Sequence, residues 1–346
     1  MGAKEVPMRS LLWSGLVWIG IPLCAAGPGT VRQTAQRFEE ISAKVPAPLG
    51  SQFRSTAAKM LQARHPELAQ KLMPSGPAAE KWPPARREEP AISPGEATIY
   101  QEFGRFGQVS TDADRAKLIL DLASQVRALP PDATKLDLAR SLCDAVTEGD
   151  MGQQAITAVA ETLAESIQGA PPDASTYLDL ASLIHYERVR PPMEDSALDA
   201  ALALLELRES LAQEVRFSLT ALDGRVYSLA DLRGKVVLVN FWATSCMPCR
   251  KEMPEMEKLY REFGDKGLLV LAISTEERLL VAKFIAEKGY SFPVLLDPGG
   301  KASADFDVDG VPKSFLFDRQ GALVAEAIDR PSESQFRSML KVAGLE

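Results

Sequence analysis

Apolar positions along this chain follow two rhythms. Between 111 and 214 they recur at three- and four-residue spacing, which predicts helices near 112–128, 133–147, 150–168, 173–187 and 194–213. Asp112, Asp132, Asp173 and Asp195 stand at or near the starts of these helices, as N-terminal caps should. From 236 onward short apolar runs alternate with helical stretches. The runs 236–241, 268–273 and 292–296 predict strands, and the stretches from about 248 to 263 and from 276 to 288 predict helices. Two further strands, 314–317 and 323–328, flank a turn at Asp318-Arg319-Gln320-Gly321, and 333–345 closes the chain as an amphipathic helix. The order is β-α-β-α-β-β-α behind an all-α block.

A weak echo runs through the helical block. Pro130-Pro131-Asp132-Ala133 and Pro171-Pro172-Asp173-Ala174 each lead into a helix carrying Leu-Asp-Leu-Ala, at 136–139 and 178–181. That offset of 41 to 42 residues suits repeated helical hairpins, and a plain bundle with similar caps accounts for two copies equally well. We expect a helical domain over 99–214 that serves a client no motif identifies.

Ahead of it, residues 27–98 are rich in Pro, Ala and charge. Pro74, Pro77, Pro83, Pro84, Pro90 and Pro94 crowd one stretch and disfavour helix and strand, so 27–98 is expected as an extended linker with room for short helices at 31–43 and 52–72. At the front, Arg9 precedes a 13-residue apolar run, 11–23, interrupted by Ser14 and Gly15 and followed by Cys24-Ala25-Ala26-Gly27. This is the layout of a secretory signal over residues 1–26, with cleavage expected after Ala26, and it is short for a membrane span. Export to the periplasm or cell envelope follows, with the segment removed or retained as an anchor. Lipidation at Cys24 ranks last because Leu23 is not small.

At 346 residues, 46% hydrophobic and 25% charged, the chain is long enough for two globular domains. A net charge of −8 without a basic patch argues against nucleic acid and anionic membrane surfaces as partners.

Cys246 and Cys249, separated by Met247 and Pro248, stand where the 236–241 strand gives way to a helix. A thiol in a first helical turn meets unpaired backbone N–H groups and the positive end of the helix dipole, which favour thiolate. Cys246 is therefore the expected nucleophile and Cys249 the resolving thiol, the pair passing between dithiol and disulfide with little backbone movement. Cys-x-x-Cys is also half of a zinc site. Against that, Cys24 and Cys143 form no second pair, and His65 and His185 lie far upstream, so no metal and no other cofactor is expected. Cys143, between apolar Leu142 and Ala145, is expected to be a buried packing residue.

Further motifs stand in order around the dithiol: Leu232-Arg233-Gly234-Lys235, Val239-Asn240-Phe241-Trp242-Ala243-Thr244, Lys251-Glu252-Met253-Pro254, Phe292-Pro293-Val294-Leu295-Leu296-Asp297, and Gly310-Val311-Pro312 before Ser314-Phe315-Leu316-Phe317. With them, residues 217–346 resemble the TlpA-like and ResA-like branch of extracytoplasmic thioredoxin-fold thiol:disulfide oxidoreductases, within the AhpC/TSA-redoxin superfamily. The resemblance covers roughly 130 of 346 residues and implies an α/β thioredoxin fold preceded by the all-α helical domain.

The resemblance assigns roles. Val311-Pro312 would carry a cis peptide bond facing the dithiol, leaving the Val311 backbone free to pair with an extended substrate segment. An ordinary loop proline opening a strand is the alternative. Met247, Pro248 and Trp242 join the substrate-binding surface, Trp242 from below as packing under the active-site turn. Asn240 stands where cytoplasmic thioredoxins keep a buried acid, so the proton acceptor is sought elsewhere. Glu252, three residues after Cys249, can face back toward the dithiol, and the equivalent acid tunes the cysteines of the ResA-like group. Partly buried, it would hold a proton more tightly and relay that of Cys249; a solvated surface glutamate is the alternative. Ser245 departs from the Trp usual before the first cysteine, which removes an apolar contact beside the nucleophile. A peroxidase is not expected, because no Pro-x-x-x-Thr-x-x-Cys approach precedes Cys246.

The expected function is an exported protein-disulfide reductase, serving cytochrome c maturation or envelope thiol homeostasis. In an oxidising compartment its redox state requires a membrane thiol:disulfide electron donor. Met247-Pro248 alone does not set the direction of electron flow. A disulfide oxidant or isomerase, or a client-binding scaffold with a redox-switch dithiol, therefore stays open.

Overall fold

The computed structural model describes residues 30–74, 93–106, 108–109, 111–147, 151–169, 172–187, 189–308, 310–328 and 333–345. The expected signal segment with Cys24 and most of the proline-rich stretch, 75–92, lie outside the described residues.

Helices fill the first part of the chain: α1 (Val31–Ser42), α2 (Leu49–Leu61), α3 (Pro66–Leu72), α4 (Pro94–Phe106), α5 (Asp112–Arg127), α6 (Ala133–Thr147), α7 (Gly152–Gly169), α8 (Ala174–Glu187) and α9 (Ser196–Gln213). Their starts are capped as the composition dictates. Asp132 accepts from the Lys135 backbone N–H at 3.0 Å, Asp173 from Thr176 at 2.9 Å and Asp195 from Ala197 at 2.7 Å. For α5 the cap is Thr111, which accepts from the Asp114 N–H, and Asp112 is the first helical residue.

One apolar cluster joins Phe38 of α1 and Phe53 of α2 to Leu122, Leu142, Leu163, Leu180 and Leu204. Within the expected linker the short helices foreseen at 31–43 and 52–72 are present, and residues 31–72 are corrected from tether to core. Val31, Ala35 and Phe38 recur at helical spacing and bury one face of α1 along α9, so α1, α2 and α3 belong to the helical core. Cys143 is buried in α6, and burial pushes its thiol well above the ordinary range.

The second part holds β1 (Ser218–Thr220), β2 (Val226–Ser228), a 3-10 turn at Leu229–Leu232, β3 (Val236–Phe241), α10 (Met247–Phe263), β4 (Leu268–Ser274), α11 (Arg278–Lys288), β5 (Val294–Leu296), α12 (Lys301–Asp305), β6 (Lys313–Phe317), β7 (Leu323–Ile328) and α13 (Glu333–Val342). The main sheet runs β5-β4-β3-β6-β7, with β3, β4 and β5 parallel and β6 and β7 antiparallel, a thioredoxin fold.

Every residue of central β3 is buried, as a strand covered on both faces must be. Val236 and Leu238 pack with Met253 and Leu259 of α10 and Phe336 of α13. Val237, Val239 and Phe241 pack on the other face with Phe306, Phe315 and Phe317. Ala212 at the end of α9, Val215 and Phe217 join this second layer, so the helical part runs into the sheet core without a spacer. The β1–β2 hairpin, absent from the sequence-based expectation, covers the β5 edge, where the Leu222 N–H donates to the Val294 carbonyl at 2.9 Å.

Candidate active site

β3 ends at Phe241 and α10 begins at Met247, and the turn between them carries the two cysteines to the sheet's C-terminal edge. Cys246 is the N-cap of α10, with extended backbone, and its Sγ accepts the Cys249 N–H at 3.1 Å. Pro248 sits in the first turn, where its missing N–H would have had no helical partner. Cys246 and Cys249 are joined as a disulfide. Cys246 is partly exposed while Cys249 is fully buried, so an incoming group reaches sulfur 246 first. The amide that meets Sγ, together with the helix terminus, would hold a thiolate there after reduction.

Opposite the disulfide, the Val311-Pro312 bond is cis and the Val311 carbonyl oxygen lies 3.5 Å from Cys246 Sγ. Val311 is 40% exposed and Met247 58%, with Ser245 and Pro248 also on the surface, so these residues surround the accessible sulfur with a small apolar surface. Trp242 is not part of that surface. It is 2% exposed, packs on Phe284 of α11 with ring centroids 5.4 Å apart, and cannot touch a docked chain without repacking. Its assignment to substrate binding is therefore corrected: directly after β3, the indole packs under the active-site turn, as expected of it, and is not offered to a docked chain.

Glu252 is fully buried, not solvated. Its Oε1 accepts from Asn240 Nδ2 at 2.8 Å, and the same amide donates to Ser314 Oγ at 3.0 Å. Asn240 and Ser314 are register partners on β3 and β6, which fixes the amide and through it the carboxylate one turn along α10 from Cys249.

Glu276 was not foreseen. Its carboxylate accepts from the Thr244 N–H at 2.6 Å, the Thr244 hydroxyl at 2.7 Å and the Ser274 hydroxyl at 3.2 Å, tying the end of β4 to the turn before Cys246. The available signal was Ser-Thr-Glu directly after an apolar strand, a short acidic brace of the kind that satisfies turn amides. Arg250 stands over the Phe284 ring at 5.6 Å and closes the same corner. Among the described residues no group of three or more His, Cys, Asp or Glu side chains is placed to hold a metal ion. The arrangement is suited to two-electron exchange between an accessible sulfur, a buried sulfur and a disulfide brought in along Val311.

Known proteins match this part of the chain. The AhpC/TSA family model covers residues 212–326. The chain is 39% identical over 126 residues to "Thiol-disulfide oxidoreductase ResA" of Bacillus thuringiensis (strain Al Hakam), spanning 36% of this chain and 73% of that protein. It is 42% identical over 111 residues to "Thioredoxin-like protein YneN" of Bacillus subtilis (strain 168), 31% of this chain and 64% of that one. Among solved structures, a thiol:disulfide interchange protein of the thioredoxin family from Chlorobium tepidum TLS aligns at 30% identity with a TM-score of 0.35, covering 37% of this chain and 92% of that one.

Proposed function

We propose that this chain, which belongs to the ResA-like thiol-disulfide oxidoreductases, is an exported reductant of protein disulfides. The observation that carries the reading is the placement of a partly exposed Cys246 at a helix N-terminus, bonded to a buried Cys249 and 3.5 Å from the Val311 carbonyl.

In the forward reaction Cys246 thiolate attacks one sulfur of the substrate disulfide. The substrate bond breaks, a mixed disulfide forms, and the first substrate thiolate leaves. The substrate's extended backbone pairs with Val311 beside Pro312, and Met247 and Pro248 contact its side chains. Cys249 then gives its proton to Glu252 and attacks sulfur 246. The mixed disulfide breaks, the second substrate thiolate departs and takes up a proton, and two electrons have passed to the substrate. A membrane thiol:disulfide donor returns the protein to its dithiol form.

Cytochrome c maturation and general envelope thiol homeostasis are the processes that would use such a reductant. The helical region is proposed as the module that recruits a client. Contact with a membrane donor would go through the partly exposed Cys246, the one accessible sulfur of the pair.

The test is insulin disulfide reduction by the reduced full-length chain. Turnover with dithiothreitol should disappear on Cys246→Ser, and Cys249→Ser should retain the client as a stable mixed disulfide for identification. A wild-type chain that oxidises reduced peptides but does not reduce insulin would reverse the direction assigned here.

A further inference from the structure

Seven residues, 306–312, connect α12 to β6 and carry Val311 and Pro312 to the disulfide. The near end of this connection is gripped from the helical region. Arg64, in the turn between α2 and α3, donates Nη1 to the Leu211 carbonyl of α9 at 2.7 Å and Nη2 to the Asp305 carbonyl at 2.8 Å. Arg208, on α9, donates Nη2 to the Asp307 carbonyl at 3.2 Å, and its Nε stands 3.6 Å from the Asp307 carboxylate.

From the far end, Lys313 returns to the same point. It directly follows Pro312, is 2% exposed, and donates Nζ to the Asp307 carbonyl at 3.2 Å while pairing with buried Glu326 of β7 at 3.4 Å. Arg208 Nε lies 3.9 Å from Glu326, so the helical guanidinium and the sheet lysine meet at one acid, Glu326, and at one carbonyl, that of Asp307. Asp307 has a positive φ of 53°, a conformation an L-residue with a side chain holds at a cost unless its surroundings enforce it.

Such a network is poorly explained as adhesive. Buried ion pairs contribute little net stability because both charges lose water, whereas oriented guanidinium hydrogen bonds fix geometry. What this geometry holds is Asp305 and Asp307, a few residues before the docking backbone at Val311.

We infer that the helical region positions the Val311-Pro312 segment against Cys246 through Arg64 and Arg208, which act as positioning residues for substrate docking. The inference rests on the reading of Val311 as the backbone that pairs with substrate. It gives the helical region a direct structural connection to the redox site.

The experiment uses the reduced full-length chain and two oxidants: a disulfide-linked peptide long enough to pair with Val311, and dithiobis-nitrobenzoate, which has no backbone to pair. Arg208→Lys and Arg64→Met are each expected to lower the second-order rate constant for the peptide about tenfold, as a misplaced docking group does. The rate with dithiobis-nitrobenzoate and the pH profile of Cys246 alkylation by iodoacetamide should stay as in the wild type. Equal losses with both oxidants, or full peptide reactivity in both variants, would overturn the inference. Should Arg208→Lys fail to fold, Arg64→Met decides alone, since it strips two carbonyls of a donor without stranding a buried charge. A wild-type chain inert toward both oxidants would defeat the proposed function, and this inference with it.

Discussion

Asn240 on β3 and Glu252 on α10 share a hydrogen bond of 2.8 Å, and neither has any exposure to solvent. An acid this deep is retained at a cost in desolvation, and the amide that orients it is itself fixed by Ser314. Position and orientation suit it to a proton-handling role next to the buried cysteine.

Glu252→Gln keeps the shape and an oxygen for Asn240 but cannot take up a proton. We expect stability within about 1 kcal/mol of the wild type, and resolution of the mixed disulfide slowed about a hundredfold, the usual worth of a positioned acid–base group. Acid-quench trapping of the mixed disulfide measures this, and unaltered lifetimes would remove Glu252 from the mechanism.

Asn240→Asp sets a second carboxylate against Glu252. Two buried acids at this distance resist joint ionisation, so the variant should lose about 3 kcal/mol near neutral pH and recover part of it on acidification. Urea unfolding of wild type and variant across the acid range gives the answer. A deficit that does not shrink toward low pH would mean that the two groups do not share one site.

Glu276→Ala leaves the Thr244 N–H and two hydroxyls without their acceptor. The expected loss is about 2 kcal/mol, against about 1 kcal/mol for Thr244→Val, which removes a single bond. Chemical denaturation provides the comparison, and equal costs would show that the backbone amide carries none of the effect.

Two groups on α8 contribute stability that falls as pH rises. Burial alone would lower His185, but its hydrogen bond to Glu209, with Glu206 and Glu326 nearby, outweighs burial and holds it above the ordinary value of 6.5. The fold therefore binds this proton more tightly than the unfolded chain does; the contribution is whole below 6.5 and is lost as pH climbs through the raised folded value. Asp179 is pushed up from 3.8 to about 6 by burial against the pull of Arg140, so its ionisation penalises the fold progressively between those two values. Melting temperatures followed by circular dichroism, compared between wild type and variants across pH, isolate these two contributions. Asp179→Asn should flatten the acid part of the curve and His185→Gln the part above 6.5. Slopes unmoved by both substitutions would contradict this account.

The strands and helices around the dithiol were legible because each couples a clear apolar period to a turn or a cap, as at Val236–Phe241 followed by Cys246 and Pro248. The thioredoxin order followed from them directly. A helix near 31–43 was foreseen, but its membership of the helical core was missed, because the proline-rich stretch after it suggested a tether rather than a packed element. Trp242 packs under the active-site turn as its position suggested, but its complete burial removes it from the docking surface, and burial of this degree depends on Phe284, far along the chain. Glu276, Arg64 and Arg208 escaped notice because their partners are backbone groups or lie far along the chain, and no local pattern encodes such pairs.

Cys143 stands apart from this exchange chemistry. Enclosed in α6 and reluctant to ionise, it offers no third sulfur for scrambling, so among the described cysteines repeated oxidation and reduction return the same pairing each time. Depth there serves as insulation for the traffic at the surface.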